Sequence, residues 1–239
     1  MPGVGAVGVP YGSVRTGRCR ATGGAVVAED ERRVPAAVVF DALGLDYEKA
    51  FASSEAHRAS LRWLLERLAP GSRVLDAGCG TGRPTAAALA DAGHRVLGVD
   101  VSPVMVELAA RQVPGAEFRR ADIRGLPLED GAFDAACAYF SLLQMDRAEQ
   151  EAVVGRLARA VRPGGFVVLA TVPVGIEGAE GLFMGQPVRV TSFGADAFED
   201  VAVRAGLAVL AREHTEFAPA HPEAVPEPHL FLHCRRPAR

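Results

Sequence analysis

The sequence predicts an α/β domain built on a doubly wound parallel sheet, and three observations carry that reading. Apolar strand patterns alternate with helical ones along most of the chain. The first strand pattern, 74–77, carries Asp76 and runs into Gly78-Cys79-Gly80-Thr81-Gly82, where alternating glycines let a ligand approach the backbone. The second strand pattern, 95–99, ends on Asp100, where an acid is placed to accept hydrogen bonds from ribose hydroxyls. Together these imply a nucleoside-bearing ligand over the carboxyl ends of parallel strands.

The elements follow in order. Residues 1–33 are rich in Gly, Val, Arg and Ala, have no acid before Glu29 and show no sustained period. They are expected to be a disordered N-terminal extension. A domain spanning 34–239 then opens with a helical cap over 34–70. Within it Ser54 caps a helix with Leu61, Leu64, Leu65 and Leu68 at helical spacing, ended by Pro70-Gly71. Strand 74–77 leads through the glycine turn to helix 84–92, which Gly93 ends. Strand 95–99 is followed by a helix with Ser102 as cap and Pro103 in its first turn. Strand 116–120, a loop, strand 133–138 and helix 147–161 come next. Arg162-Pro163-Gly164-Gly165 separates that helix from strand 166–171. Residues 172–193 are long for a loop and are expected to form a lid insertion, folded as a hairpin over the site. Helix 194–205 leads through Gly206 to strand 208–216. Residues 219–228 are expected to be a rigid loop, and 229–235 the last strand.

The spacing also bears on which nucleoside is held. A dinucleotide fingerprint is Gly-x-Gly-x-x-Gly, because a pyrophosphate sits on a helix N-terminus. Here Arg83 stands where its last glycine would be. Asp76 would repel a pyrophosphate but can help hold an ammonium, directly or through water. S-adenosylmethionine has a ribose, an adenine, an ammonium and no phosphate, so the spacing favours it over a nicotinamide cofactor.

At this point the chain resembles the class I S-adenosylmethionine-dependent methyltransferases, in their small-molecule branch. The glycine segment looks like their first motif, and Val99-Asp100-Val101-Ser102 like their second. Arg120-Ala121-Asp122-Ile123 looks like the segment whose acid meets the adenine amino group. Phe133-Asp134-Ala135-Ala136-Cys137-Ala138 looks like the fourth strand, and 157–169 like the following helix, turn and fifth strand. The resemblance implies a single Rossmann-like domain with seven strands, mostly parallel, and an antiparallel last strand. It implies S-adenosyl-L-methionine as cofactor and S-adenosyl-L-homocysteine as product. The cofactor contacts it implies are Tyr47, Asp76, Gly78, Cys79, Gly80, Asp100, Val101, Met105, Asp122, Ile123, Ala138 and Leu143.

Composition narrows the rest. Hydrophobic residues make up 49% of 239, enough for a full core, and the net charge of −3 gives no general attraction to nucleic acid. The four cysteines are scattered without Cys-x-x-Cys spacing and read as small buried thiols. No apolar run is long enough to span a membrane, and no signal-peptide pattern opens the chain, so a cytoplasmic protein is expected. It is expected to act as a monomer or homodimer on a small-molecule acceptor, without nucleic acid or membrane.

Methyl transfer from a sulfonium is an in-line displacement in which positioning and exclusion of water do most of the catalysis. A base is needed only where the acceptor loses a proton as it attacks. The candidates are Tyr139, which follows strand 133–138 at the ligand-binding end, His229 at the mouth of the site, and Glu216. His229 also reads as a plain surface histidine, and His57 as helix surface or base. Gln144 stands where many relatives carry histidine. His229 and His233 would lie roughly 13 Å apart along a strand, too far to share one ion, and no metal site is expected. The acceptor is expected among Tyr47, Tyr139, Phe183, Met184 and Phe217. The reading is methyl transfer to a small organic molecule such as a specialised metabolite. The alternatives are a non-methylating step such as cyclisation with the same cofactor, or a catalytically silent cofactor-binding scaffold.

Overall fold

The structure, a computed structural model, describes residues 36–238. The extension expected over 1–33 lies outside the described residues. The chain enters through α1 (Ala36–Leu43), α2 (Leu45–Phe51) and α3 (Glu55–Leu65). It then alternates through β1 (Arg73–Ala77), α4 (Thr85–Asp91), β2 (Arg95–Asp100), α5 (Pro103–Gln112) and β3 (Glu117–Arg120). After β4 (Phe133–Tyr139), α6 (Arg147–Ala160) and β5 (Val161–Thr171) comes a hairpin, β6 (Ala179–Phe183) with β7 (Gln186–Val190). The chain closes with α7 (Ala195–Arg204), β8 (Ala208–Phe217) and β9 (Glu227–Arg235).

The main sheet has seven strands in the order β3-β2-β1-β4-β5-β9-β8. β1 to β5 pair in parallel, while β9 runs antiparallel to both β5 and β8. The strand order reverses between β1 and β4, and that switch point opens the crevice where such sheets bind ligands. Alternation along the strands sorts the core. Leu75, Ala77, Ala136 and Ala138 pack with Val153, Leu157 and Phe198 from α6 and α7. Val74, Ala135, Cys137 and Tyr139 pack with Leu61, Leu64 and Leu89 from α3 and α4.

Helix ends follow the capping residues. The side chains of Ser54 and Ser102 accept the backbone N–H groups of His57 and Met105. Asp146 and Glu149 form a reciprocal capping box on α6, a signal visible in Asp146-x-x-Glu149.

Two strand boundaries differ from the sequence reading by two or more residues. β5 begins at Val161, before the Pro-Gly-Gly segment, because Val161 already pairs with Phe133 and the extra residues are accommodated as an irregularity. Gly165 is required there, since a Cβ would lie 2.4 Å from the Asp134 carbonyl oxygen. β9 begins at Glu227 rather than at residue 229. Pro228 is tolerated because β9 pairs there only with β8, and its pairing with β5 starts at Leu230.

A third apolar cluster sits above the carboxyl ends of the strands. Val39, Leu43 and Ala50 of the first two helices meet Met184, Val188 and Val190 of the hairpin. The hairpin turn uses Met184 and Gly185, both at positive φ. Its far end is tied to the body: Leu143 O accepts the Thr191 N–H at 2.8 Å, and Thr191 O accepts Gln150 Nε2 at 2.8 Å.

Candidate active site

The glycine turn is anchored on β2. The N–H groups of Gly78 and Cys79 both reach Val99 O, at 2.7 and 3.1 Å. Gly78, at φ 80°, lies against Ser141, and Ser141 Oγ donates to Ala77 O at 2.6 Å. Gly80 donates its N–H to Asp100 Oδ2 at 2.9 Å, and Ser102 donates its N–H to Asp100 Oδ1 at 2.9 Å. Each Asp100 oxygen keeps lone-pair capacity for a hydroxyl. Burial raises the Asp100 pKa above the usual carboxylate value, against the lowering effect of these N–H donors.

These residues line a cavity of about 530 Å³ at the switch point. Tyr47, Gly78, Gly80, Asp100, Val101, Asp122 and Ile123 all line it, as does Tyr139. Both Asp122 oxygens already accept from the Arg124 side chain, which lowers the Asp122 pKa. Leu143 lines a smaller adjoining cavity instead.

Four expected cofactor contacts lie behind the wall. Asp76, Cys79, Met105 and Ala138 do not line either cavity, and each is buried. Ala138 points from β4 into the α6 face of the core. Asp76 is 1% exposed with Oδ2 unpartnered, and burial, then the charge of Asp100, pushes its pKa up to about 7.

The expected acceptor and base residues divide. Tyr139 presents its ring to the cavity, but its hydroxyl is engaged by Ser60 Oγ at 3.0 Å, and burial pushes its pKa well up. Phe183 lines the smaller cavity; Met184 and Phe217 line neither. Met184 is packed inside the roof cluster, and Phe217 stacks on His229 at 5.3 Å. Glu216 is exposed on β8 and faces neither cavity. His229 is not a surface residue: it is fully buried, with Nε2 2.9 Å from Glu227 Oε1. His57 stacks on Tyr139 at 4.1 Å and bonds Thr85 Oγ1 through Nε2 at 3.1 Å. Burial is the main cause that pushes its pKa down to about 3, so it is neutral near pH 7.

Four residues of the site escaped the sequence reading. Phe40 and Phe140 line both cavities, and Phe140 holds φ 56°, rare for a bulky side chain. Asp41 on α1 accepts from Ser102 Oγ at 2.5 Å, tying the first helix to the cap of α5. Glu227 lines the smaller cavity while 5% exposed. Only Phe140 had a sequence signal, its place directly after an apolar strand.

Comparison with known proteins bears on this geometry. A family model described as a methyltransferase domain matches residues 74–165, from β1 to the start of β5. Residues 74–165 thus match a methyltransferase domain, on a fold shared with solved methyltransferases. The methyltransferase domain is 32% identical over 135 residues to malonyl-[acyl-carrier protein] O-methyltransferase of Serratia marcescens, covering 54% of this chain and 52% of that one. The chain spans 38% to 52% of the length of the curated relatives it matches. Among solved structures, 1,6-didemethyltoxoflavin-N1-methyltransferase of Burkholderia thailandensis superposes with a TM-score of 0.65 at 22% identity, covering 90% of this chain and 93% of that one. The [4+2]-cyclase SpnF superposes with a TM-score of 0.62 at 25% identity, covering 77% and 82%.

The residues here fit S-adenosylmethionine, the cofactor that the sequence resemblance implies. The Asp100 carboxylate has capacity for ribose hydroxyls, the Gly78 backbone approaches where a Cβ would overlap Ser141, and Asp76 holds an unpartnered buried oxygen. No helix among the described residues is long and apolar enough to cross a membrane.

Proposed function

We propose that this protein transfers a methyl group from S-adenosylmethionine to a small, largely apolar organic molecule. The observation that carries the reading is the smaller cavity of about 60 Å³ beside the glycine turn, walled by Tyr47, Phe51, Phe140, Phe183 and Val188. It shares Phe40, Tyr47, Phe140, Ser141 and Gln144 with the larger one, so a molecule under the hairpin adjoins one on the glycine turn.

The bound cofactor would supply a methyl already activated as a sulfonium. The chain's own residues then bind, orient and exclude water. In this reading Gly78 and Gly80 shape the cofactor bed, Asp100 takes the ribose hydroxyls, and Asp76 sets the charge beneath the turn. Asp122 and Ile123 border the adenine. The segment 172–193 acts as a lid, with Phe183 on the acceptor and Met184 holding the hairpin to α1 and α2. Tyr139 offers a ring face, and Glu216 and Phe217 stay outside the reacting centre.

A second reading has a specific observation behind it: the likeness to SpnF, a cyclase on the same fold. One experiment separates the two. The protein is incubated with methyl-labelled S-adenosylmethionine and a panel of phenols, aromatic amines and polyenes. Methyl transfer predicts labelled product and one S-adenosylhomocysteine per turnover. An isomerised polyene without S-adenosylhomocysteine would favour the cyclase reading. Binding without conversion of any panel member would favour a silent scaffold.

A further inference from the structure

Among the described residues lining the smaller cavity, Glu227 is the charged one. The lining is mostly aromatic and aliphatic, with Tyr47, Ser141 and Gln144 as its other polar members, and an ionised carboxylate there is costly unless donors hold it. One donor is present: His229 Nε2 stands 2.9 Å from Oε1. His229 is itself fully buried, with its ring against Phe140 at 4.4 Å and Phe217 at 5.3 Å, and its Nδ1 has no partner. A carboxylate accepts about four hydrogen bonds, so capacity remains on the side that faces the cavity. A wall that only had to exclude water would carry an apolar residue at this position.

We propose that Glu227 is the catalytic residue that accepts the acceptor's proton, and that the acceptor is an O–H or N–H nucleophile. The inference rests on the methyl-transfer reading above. As the oxygen or nitrogen lone pair forms its bond to the methyl carbon, the carbon–sulfur bond breaks and its electron pair returns to sulfur. The O–H or N–H becomes acidic as that bond forms, and its proton passes to the free Glu227 oxygen. A thioether or tertiary amine has no such proton to give.

His229 is a positioning residue that fixes the carboxylate by donating from Nε2. The titratable groups around this pair are Tyr47 on α2 and, beyond His229, His57 on α3. Burial, then the Glu227 charge, raises the Tyr47 pKa, so this phenol stays neutral and can donate.

The probe is 4-nitrophenol, whose ionised and neutral forms absorb at different wavelengths, added to the protein saturated with S-adenosylhomocysteine. A carboxylate facing the phenol stabilises the neutral form. The expected result is about a tenfold fall in the bound probe's ionisation constant relative to free probe. Glu227→Gln should remove most of that fall, leaving the part that the apolar wall alone imposes on a phenolate, with S-adenosylhomocysteine affinity within about twofold. His229→Phe keeps a ring between Phe140 and Phe217 and should give an intermediate fall. Equal ionisation constants in wild type and Glu227→Gln would overturn the proposal, as would failure of wild type to bind the probe, with S-adenosylhomocysteine affinity intact. Failure of wild type to bind S-adenosylhomocysteine would instead overturn the methyl-transfer reading on which it rests.

Discussion

A Cβ added to Gly78 would lie 2.1 Å from the Cβ of Ser141. Ser141 cannot retreat freely, because its Oγ donates to Ala77 O at 2.6 Å on the strand that feeds the turn. Gly78 also sits at φ 80°, where an L side chain is strained by roughly 1–2 kcal/mol.

Gly78→Ala should therefore lower the melting temperature and weaken S-adenosylhomocysteine more than tenfold, since both strain and overlap act on the cofactor bed. Gly80→Ala is the contrast. It sits at φ 51° with nothing within 4 Å of its added Cβ, so only the strain remains. Equal losses in the two variants, read by thermal melts and calorimetry, would show that the Ser141 contact is not what constrains the turn.

How much of this was legible in the sequence depends on direction as much as position. The central strands were readable because they are largely apolar runs ended by Gly, Asp or a turn, as at Val74 to Gly78, whereas β3 carries Glu117, Arg119 and Arg120. Glycine and aspartate positions of the site were readable because their roles need backbone or carboxylate chemistry at fixed places. Ala138 and Met105 were placed at the cofactor by the family resemblance, which carries over a position and not the direction of its side chain. Ala138 alternates onto the α6 face, and Met105 is fully buried. Glu227 was hidden because Pro228 reads as a strand breaker, and only the sheet order shows that β9 has one partner there. His229 was read at the mouth of the site or on the surface, and its burial was hidden because nothing local announces Phe140 and Phe217, which come from other segments to enclose it.

Asp76 gives a pH prediction. Its folded pKa, about 7, lies above the ordinary value of 3.8. The folded state therefore holds a proton that the unfolded chain has released. Stability attributable to this group falls as pH rises from about 4 to about 7. An ammonium bound above the turn favours the ionised form, so S-adenosylhomocysteine should release a proton from Asp76 on binding near pH 6.5. Calorimetry in buffers of different ionisation enthalpy measures it, and Asp76→Asn should remove the release. Proton uptake in wild type would contradict the assignment.

The two cavities predict a split between cofactor and acceptor. Phe183→Ala removes a wall of the smaller cavity and should raise KM for an identified acceptor. Burying a phenylalanine is worth about 1.5–3 kcal/mol, so loss of an apolar contact of that kind corresponds to roughly tenfold or more. S-adenosylhomocysteine affinity should change little, because Phe183 does not line the larger cavity. A variant that loses cofactor and acceptor together would show that the hairpin roofs both sites.

If the glycine turn and Asp100 form the S-adenosylmethionine bed, cofactor affinity depends on the Asp100 carboxylate. Asp100 bridges the Gly80 and Ser102 N–H groups and lines the larger cavity. Isothermal calorimetry of S-adenosylhomocysteine is run on wild type and Asp100→Ala, with thermal melts confirming that both are folded. Hydrogen bonds to a charged group are worth about 1.5–3 kcal/mol, which predicts roughly ten- to hundredfold weaker binding in the variant. Unchanged affinity in a folded Asp100→Ala protein would contradict the account.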